Sequence, residues 1–315
     1  MKMSELYPLK LRPALHVKVW GGRRLADMMG KRLLTAEPYG ESWELHDTSV
    51  ITNGPLRGNS LGDLARQYGA DLLGAGNDPA AGLPLLAKLI DASDWLSIQV
   101  HPNDEQAGAL EREPRGKTEA WVILHAEPGA QLVIGLQPGT TREQMAEAIR
   151  HNQLEALLVY AEVATGDVLY IPANTIHALG PGLLIYEIQQ SSDVTYRLYD
   201  WGRLGLDGQP RELHIDKGVQ VAELTSLPRL RQPENELLVD GEYFRSWRHE
   251  LAGEALSIET EGRFQTLTCI AGSAQVESAE HDAINLGKGE TSLIPACVPS
   301  FVIRGSGIVL RSGQG

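Results

Sequence analysis

Residues 166–179, GDVLYIPANTIHAL, and residues 289–302, GETSLIPACVPSFV, are two versions of one pattern. Each opens with glycine and an acid, runs through β-rich residues, breaks at Ile-Pro-Ala and resumes as a strand. Proline cannot donate to a ladder, so each copy reads as strand, turn, strand. An internal echo of this kind predicts two related β units in one chain. In register, His177 of the first copy falls on Ser300 of the second. If the first unit holds a metal, the second lacks a ligand there and is the structural one.

The rest of the chain fits this frame. LHVKVW, LSIQVH, EAWVIL, QLVIGL, LLIYEIQ, QTLTCIAG and SFVIRG are further short β-rich runs bounded by Gly, Pro, Asn or Asp, the signature of a sandwich or barrel. Helical spacing is confined to a few segments, two of which read as inserts on the β body. In TTREQMAEAIRHNQLEALLVY, Thr140 and Glu143 have capping-box spacing, and Met145, Ile149 and later leucines recur at helical intervals. Ser60 to Leu73 is a weaker second case. A polar, proline-containing stretch, Pro228 to Glu236, predicts a boundary, giving a unit at 1–227 and another at 228–315.

Composition sets limits. The 315 residues carry 28 Lys and Arg against 41 Asp and Glu, a formal net charge of −13. That balance argues against nucleic acid or an anionic membrane as a partner, since either needs a basic surface. No apolar run is long enough for a membrane span, and the first residues lack the apolar core of a signal peptide, so a cytoplasmic protein is expected. The two cysteines, Cys269 and Cys297, lie in apolar strand-like settings and read as buried small hydrophobes, not as a disulfide.

The chemistry-bearing residues come from separate segments. Gln99 and His101 in LSIQVHPND are two apart on a strand, so they share a face. Glu119 begins the apolar strand EAWVIL, where it either faces solvent or needs a partner inside. His177 follows a turn; alone, it reads equally as a core histidine bonded to backbone. Together, two imidazoles, a carboxylate and an amide oxygen make a mononuclear site for a divalent metal. Zinc suits this set, and Fe(II) could occupy it too.

The ordered run LSIQVHPND, GKTEAW, IPANTIHALG and EIQQSSDVTYRLYDWGR, with VWGG and GESWEL before it, resembles the type I phosphomannose isomerases, and their shorter bacterial branch in particular. The resemblance implies a mainly β protein of two cupin-like, jelly-roll units with a few helical inserts, the second unit degenerate. It implies one zinc ion per chain, held by Gln99, His101, Glu119 and His177. It further implies a sugar phosphate substrate contacted by Lys117, Lys88 and Ser97, with Arg197 and Glu187 in the catalytic machinery. The expected reaction is interconversion of mannose 6-phosphate and fructose 6-phosphate through an enediol. The large helical insertion of longer members is absent, which predicts a more open rim.

Each residue also has a plainer reading. Lys117 and Lys88 could be surface lysines, Arg197 an ion-pair partner of Asp193 or Asp200, and Glu187 a strand-edge acid. The general base stays open among Glu187, a metal-bound water and a lysine of lowered pKa. A non-haem Fe(II) oxygenase shares two His and a carboxylate, and a sugar-phosphate sensor would share the whole set.

Overall fold

The computed structural model describes residues 5–279 and 281–315. Every β-rich run quoted above forms a strand, from Ala14–Gly22 to Ser300–Gln314. One sheet runs Val168–Ile171, Glu119–Ala126, Leu183–Gln190, Leu85–Ala92, Tyr39–Leu45, with Ala14–Gly22 at its far edge. A second sheet repeats the order with Thr291–Ile294, Gln265–Ser278, Ser300–Gln314, Phe244–Ala252, Leu237–Asp240. Their strands pair antiparallel.

The two copies of the quoted pattern open these parallel orders, and they carry the same local bonds. Asp167 Oδ2 accepts from the Ala164 amide at 2.8 Å, and Glu290 Oε2 accepts from the Gly287 amide at 2.7 Å. After the strand, Thr175 N donates to Pro172 O at 3.3 Å, and Val298 N to Pro295 O at 3.1 Å. Gly166 and Gly289 both have positive φ, 96° and 80°, which explains the glycine that opens each copy.

The units share their interior. The strands Leu9–Arg12 and Val50–Ile51 extend the second sheet beyond Thr291–Ile294, so that sheet is built from both sides of residue 228. One apolar core contains Leu45, Leu85, Tyr186 and Ile188 together with Phe244, Phe264, Leu293 and Leu310. Each fully buried side chain of this size contributes about 1.5–3 kcal/mol. The stretch expected to be a linker is itself tied down, because Arg231 and Val168 exchange backbone hydrogen bonds of 2.8 and 3.0 Å.

The helical inserts differ in detail from expectation. Thr141 and Gln144, not Thr140 and Glu143, form the capping box of helix Arg142–Arg150. That helix does not continue through LEALLVY: Asn152 turns left-handed at φ 58°, and Leu158–Glu162 becomes a strand against Gln131–Leu136. Pairing of an apolar, β-branched stretch has overridden helical spacing there. Ser60 caps Leu61–Tyr68 as its position suggests, and Gly69, at φ 51°, separates this helix from Ala70–Leu73. Cys269 and Cys297 are thiols. No helix among the described residues is long and apolar enough to cross a membrane.

Candidate active site

The short strand Ile98–Val100 brings the motifs together. Gln99 lies opposite Arg197 on the strand Tyr196–Tyr199, and on its other side exchanges backbone hydrogen bonds of 3.1 and 3.0 Å with His177. One residue after this strand, His101 precedes Pro102, and Asn103 with Gln106 then makes the capping box that opens helix Asp104–Glu111. Glu119 enters from the first sheet, paired with Ile171 on one side and Gln189 on the other.

Ligating atoms of His101, Glu119 and His177 all lie within 4.8 Å of one another, and all three residues are buried. His177 Nε2 is 3.2 Å from Glu119 Oε1, and His101 Nε2 is 3.7 Å from Glu119 Oε2. The far nitrogens are spoken for: His101 Nδ1 meets Val194 O and His177 Nδ1 meets Thr175 O, each at 2.9 Å. With Nδ1 donating to these carbonyls, each Nε2 is left as an unprotonated lone pair turned toward the carboxylate, the usual orientation of a metal-binding histidine. The Gln99 amide adds a fourth group, 3.3 Å from His177 Nε2, and its oxygen reaches the same place by rotation of the amide.

Lone pairs converging on a buried carboxylate repel unless a cation sits among them. Neither oxygen of Glu119 accepts a well-directed hydrogen bond. Lys117 Nζ partly answers this, 3.1 Å from both Glu119 Oε2 and His101 Nε2. Burial opposes ionisation of Glu119, yet its carboxyl is held well below its ordinary range, with the Lys117 ammonium beside it the strongest influence favouring the charge. Burial, then Lys117, pushes His101 well below its ordinary value. A neutral imidazole and an ionised carboxylate are the forms that coordinate a metal. The donor set fits a divalent cation.

In front of this cluster is a polar cleft of about 250 Å³. Ser97, Gln99, Lys117, Lys88, Glu187 and Arg197 line it. Lys88 and Lys117 are therefore not surface lysines: both are buried. Lys88 Nζ is 3.0 Å from Glu187 Oε1, on directly opposed residues of adjacent strands. Trp121 Nε1 donates to Glu187 Oε2 at 2.8 Å, so Glu187 is an interior carboxylate and not a strand-edge acid. Burial alone would lower the Lys88 pKa, but Glu187, Glu41 and Asp193 more than reverse this, so Lys88 stays an ammonium. That removes Lys88 from the candidate bases. Arg197 bonds the Glu212 carbonyl at 2.8 Å, while its Nε is buried without an acceptor. Asp200 is engaged by Arg203 and Arg211.

Sequence reasoning missed Lys18, Glu41 and Arg211, which also line the cleft. Glu41 was within reach, since GESWEL is part of the resemblance. It pairs with Lys18 at 3.3 Å and accepts from Trp43 Nε1 at 2.8 Å. Burial works against its charge, yet Lys88 and Lys18 bring its pKa down to about 2. Trp20 lines the cleft, whereas Trp43 lies behind it, its ring 5.5 Å from Lys88 Nζ. A larger cleft, about 890 Å³, lies where Leu11 and Arg12 approach Lys288 and Gly289, and none of the residues expected from sequence lines it.

Comparison with known proteins shows the family. A family model for the catalytic domain of type I phosphomannose isomerase matches residues 8–118, and one for the mannose-6-phosphate isomerase cupin domain matches residues 234–314. Mannose-6-phosphate isomerase ManA of Bacillus subtilis is 34% identical over 310 residues, covering 95% of this chain and 96% of that protein. The crystal structure of a mannose 6-phosphate isomerase from the same organism superposes with a TM-score of 0.87 at 32% identity, covering 98% of this chain and 99% of that one. A mannose 6-phosphate isomerase solved with zinc and yttrium has the same fold, at a TM-score of 0.77 and 19% identity over 98% of this chain and 100% of that one. With near-complete coverage at this identity, the chain belongs to the type I phosphomannose isomerase family.

Proposed function

We infer that this chain interconverts mannose 6-phosphate and fructose 6-phosphate, with a zinc ion held by Gln99, His101, Glu119 and His177. The observation that carries the reading is the pairing of a buried two-histidine, one-carboxylate cluster with a cleft walled by Lys88, Lys117 and Arg197. A non-haem oxygenase needs such a cluster but has no use for those cations. An anionic sugar needs both.

The reaction moves one proton between adjacent carbons. From mannose 6-phosphate, a base takes the proton on C2, the electrons form the C1–C2 enediol, a proton passes from O2 to O1, and the acid delivers a proton to C1. Glu187 suits the carbon-to-carbon transfer: Trp121 fixes one oxygen, and the other stands beside Lys88 without a well-directed hydrogen bond. Arg197 lends its unsatisfied Nε to the oxyanion of the enediolate, a preorganised donor where charge develops. Ser97, Lys117 and Lys88 hold the sugar phosphate, with Arg211 and Lys18 adding positive charge to the cleft wall. Zinc, when bound, supplies Lewis-acid polarisation of the substrate oxygens.

The test is metal-stripped protein assayed anaerobically for fructose 6-phosphate formation, with Zn²⁺ or Fe²⁺ returned. Turnover restored by zinc without oxygen is the expected result. Binding of the sugar phosphate with no turnover under either metal would replace the isomerase by a sensor.

A further inference from the structure

Two motif residues have no role in the chemistry above: Asp104, which ends LSIQVHPND, and Gln190, which ends EIQQ. We propose that Gln190 and Asp104 form a clamp on the backbone of Gly116, Lys117 and Thr118, and that this clamp positions Lys117 and Glu119 for metal and substrate. The inference rests on the reading of the site just given.

The loop is held at each consecutive amide. Gly116 N donates to Asp104 Oδ1 at 2.7 Å, Lys117 N to Pro102 O at 3.0 Å, and Thr118 N to Gln190 Oε1 at 2.9 Å. The two side chains are themselves joined, Gln190 Nε2 donating to Asp104 Oδ1 at 2.8 Å. Gln190 is buried, and Thr118 N fixes which way its amide faces, so its nitrogen has to point at Asp104. Asp104 is exposed, and its Oδ1 accepts from both Gly116 N and Gln190 Nε2. Gly116 is pressed against the turn: a Cβ there would meet Asn103 C at 2.4 Å and Pro102 O at 2.5 Å. The loop therefore has little freedom apart from what these bonds set. Lys117 and Glu119, the residues it delivers, stand 3.1 Å apart in the cluster.

Neither residue touches the cluster, so both are positioning residues. The experiment compares Gln190→Met, Asp104→Ala and Asp104→Asn, reading zinc affinity by chelator competition, kcat and KM for mannose 6-phosphate, and the thermal midpoint. Loss of a group bonded directly to a metal ligand lowers metal affinity about 10–100-fold, and because Gln190 acts one step further out, through the Thr118 backbone, a loss at the lower end, about 10-fold, is expected for Gln190→Met, with kcat falling more than KM changes. Asp104→Ala should follow in the same direction, Asp104→Asn should restore near-native zinc affinity because it keeps the accepting oxygen, and the double variant should be no worse than Gln190→Met alone. Unchanged zinc affinity and kcat in both Gln190→Met and Asp104→Ala, with only the thermal midpoint lowered, would overturn the clamp. If wild-type protein binds zinc but turns nothing over, the isomerase reading fails, and zinc affinity in the variants still judges the clamp.

Discussion

The two sheets share a strand order, and their registers show what became of the same positions in each. Glu119 pairs with Ile171 in the first; the residue in that place in the second is Gln265, paired with Ile294. Where the first opposes Glu187 to Lys88, the second opposes Arg311 to Trp247. His177 falls on Ser300, which is exposed. Where the first has a carboxylate the second has an amide, where the first has an acid-lysine pair the second has a cation stacked on a ring, and where the first has an imidazole the second has a hydroxyl. The backbone of the pattern, with its acid-closed turn and its Ile-Pro-Ala break, was kept throughout. Backbone geometry and chemistry are thus separable in this chain: the first needs glycine, proline and an acid at fixed places, and the second needs side chains that the fold itself does not require.

The sharpest way to break the comparison is Glu119→Gln, which gives the first site the residue type of the second. Turnover should fall about 10⁴-fold, the scale on which losing one member of a catalytic constellation acts, with zinc content lost from the purified protein. Turnover within tenfold of the parent would mean that the Glu119 carboxylate is not what separates the two units. Next in size is Lys88→Met, which leaves Glu187 without the ammonium 3.0 Å away. Removing one partner of a buried pair costs about 3–5 kcal/mol, readable as a lowered urea midpoint. A change under about 1 kcal/mol would show that Glu187 takes up a proton and tolerates the loss.

How much of this was legible in the sequence depends on periodicity and on distance along the chain. The echo at Gly166 and Gly289 gave the two units because turn chemistry is local. Leu85–Ala92, a central strand, had no such signal: every residue is buried, so alternation is erased, and it reads as an apolar run carrying one lysine and one aspartate. Leu9–Arg12 could not be placed, because its partner Thr291–Ile294 is almost the whole chain away. The cluster residues were visible in their motifs, yet only the fold brings Gln99, Arg197 and His177 side by side. Arg211, in a polar loop without pattern, reaches the cleft through its two-pronged bond to Asp200, which spacing does not reveal.

A third effect separates the units by pH. The Glu41 carboxyl, on a strand beside Lys88, is brought from 4.5 down to about 2 in the folded protein. A depressed folded pKa stabilises above the unfolded value and loses that stabilisation as pH falls through the window from 4.5 to about 2. The shift corresponds to about 3 kcal/mol. Glu41→Gln should therefore flatten the acid limb of the stability profile between pH 5 and 2.5. An acid limb as steep as the parent's would show that other carboxylates control it.

The smallest expected effect tests the second unit directly. Arg311 lies 3.6 Å from the centre of the Trp247 ring, donates from Nε to His249 Nε2 at 3.2 Å, and from Nη1 to Gln265 Oε1 at 2.9 Å. A desolvated cation on an aromatic face contributes about 1–2 kcal/mol, so Arg311→Met should lower stability by that much. It should leave kcat, KM and zinc content unchanged, because these contacts replace the catalytic ones and do not support them. The units do share a core and the buried bond from Thr291 Oγ1 to Glu44 Oε2, 2.9 Å, a path by which a packing change would cross between them. A fall in kcat with Arg311→Met at full zinc occupancy would show that it does. The second unit would then be a working support for the first site, held in place by the contacts that stand where the first has its ligands.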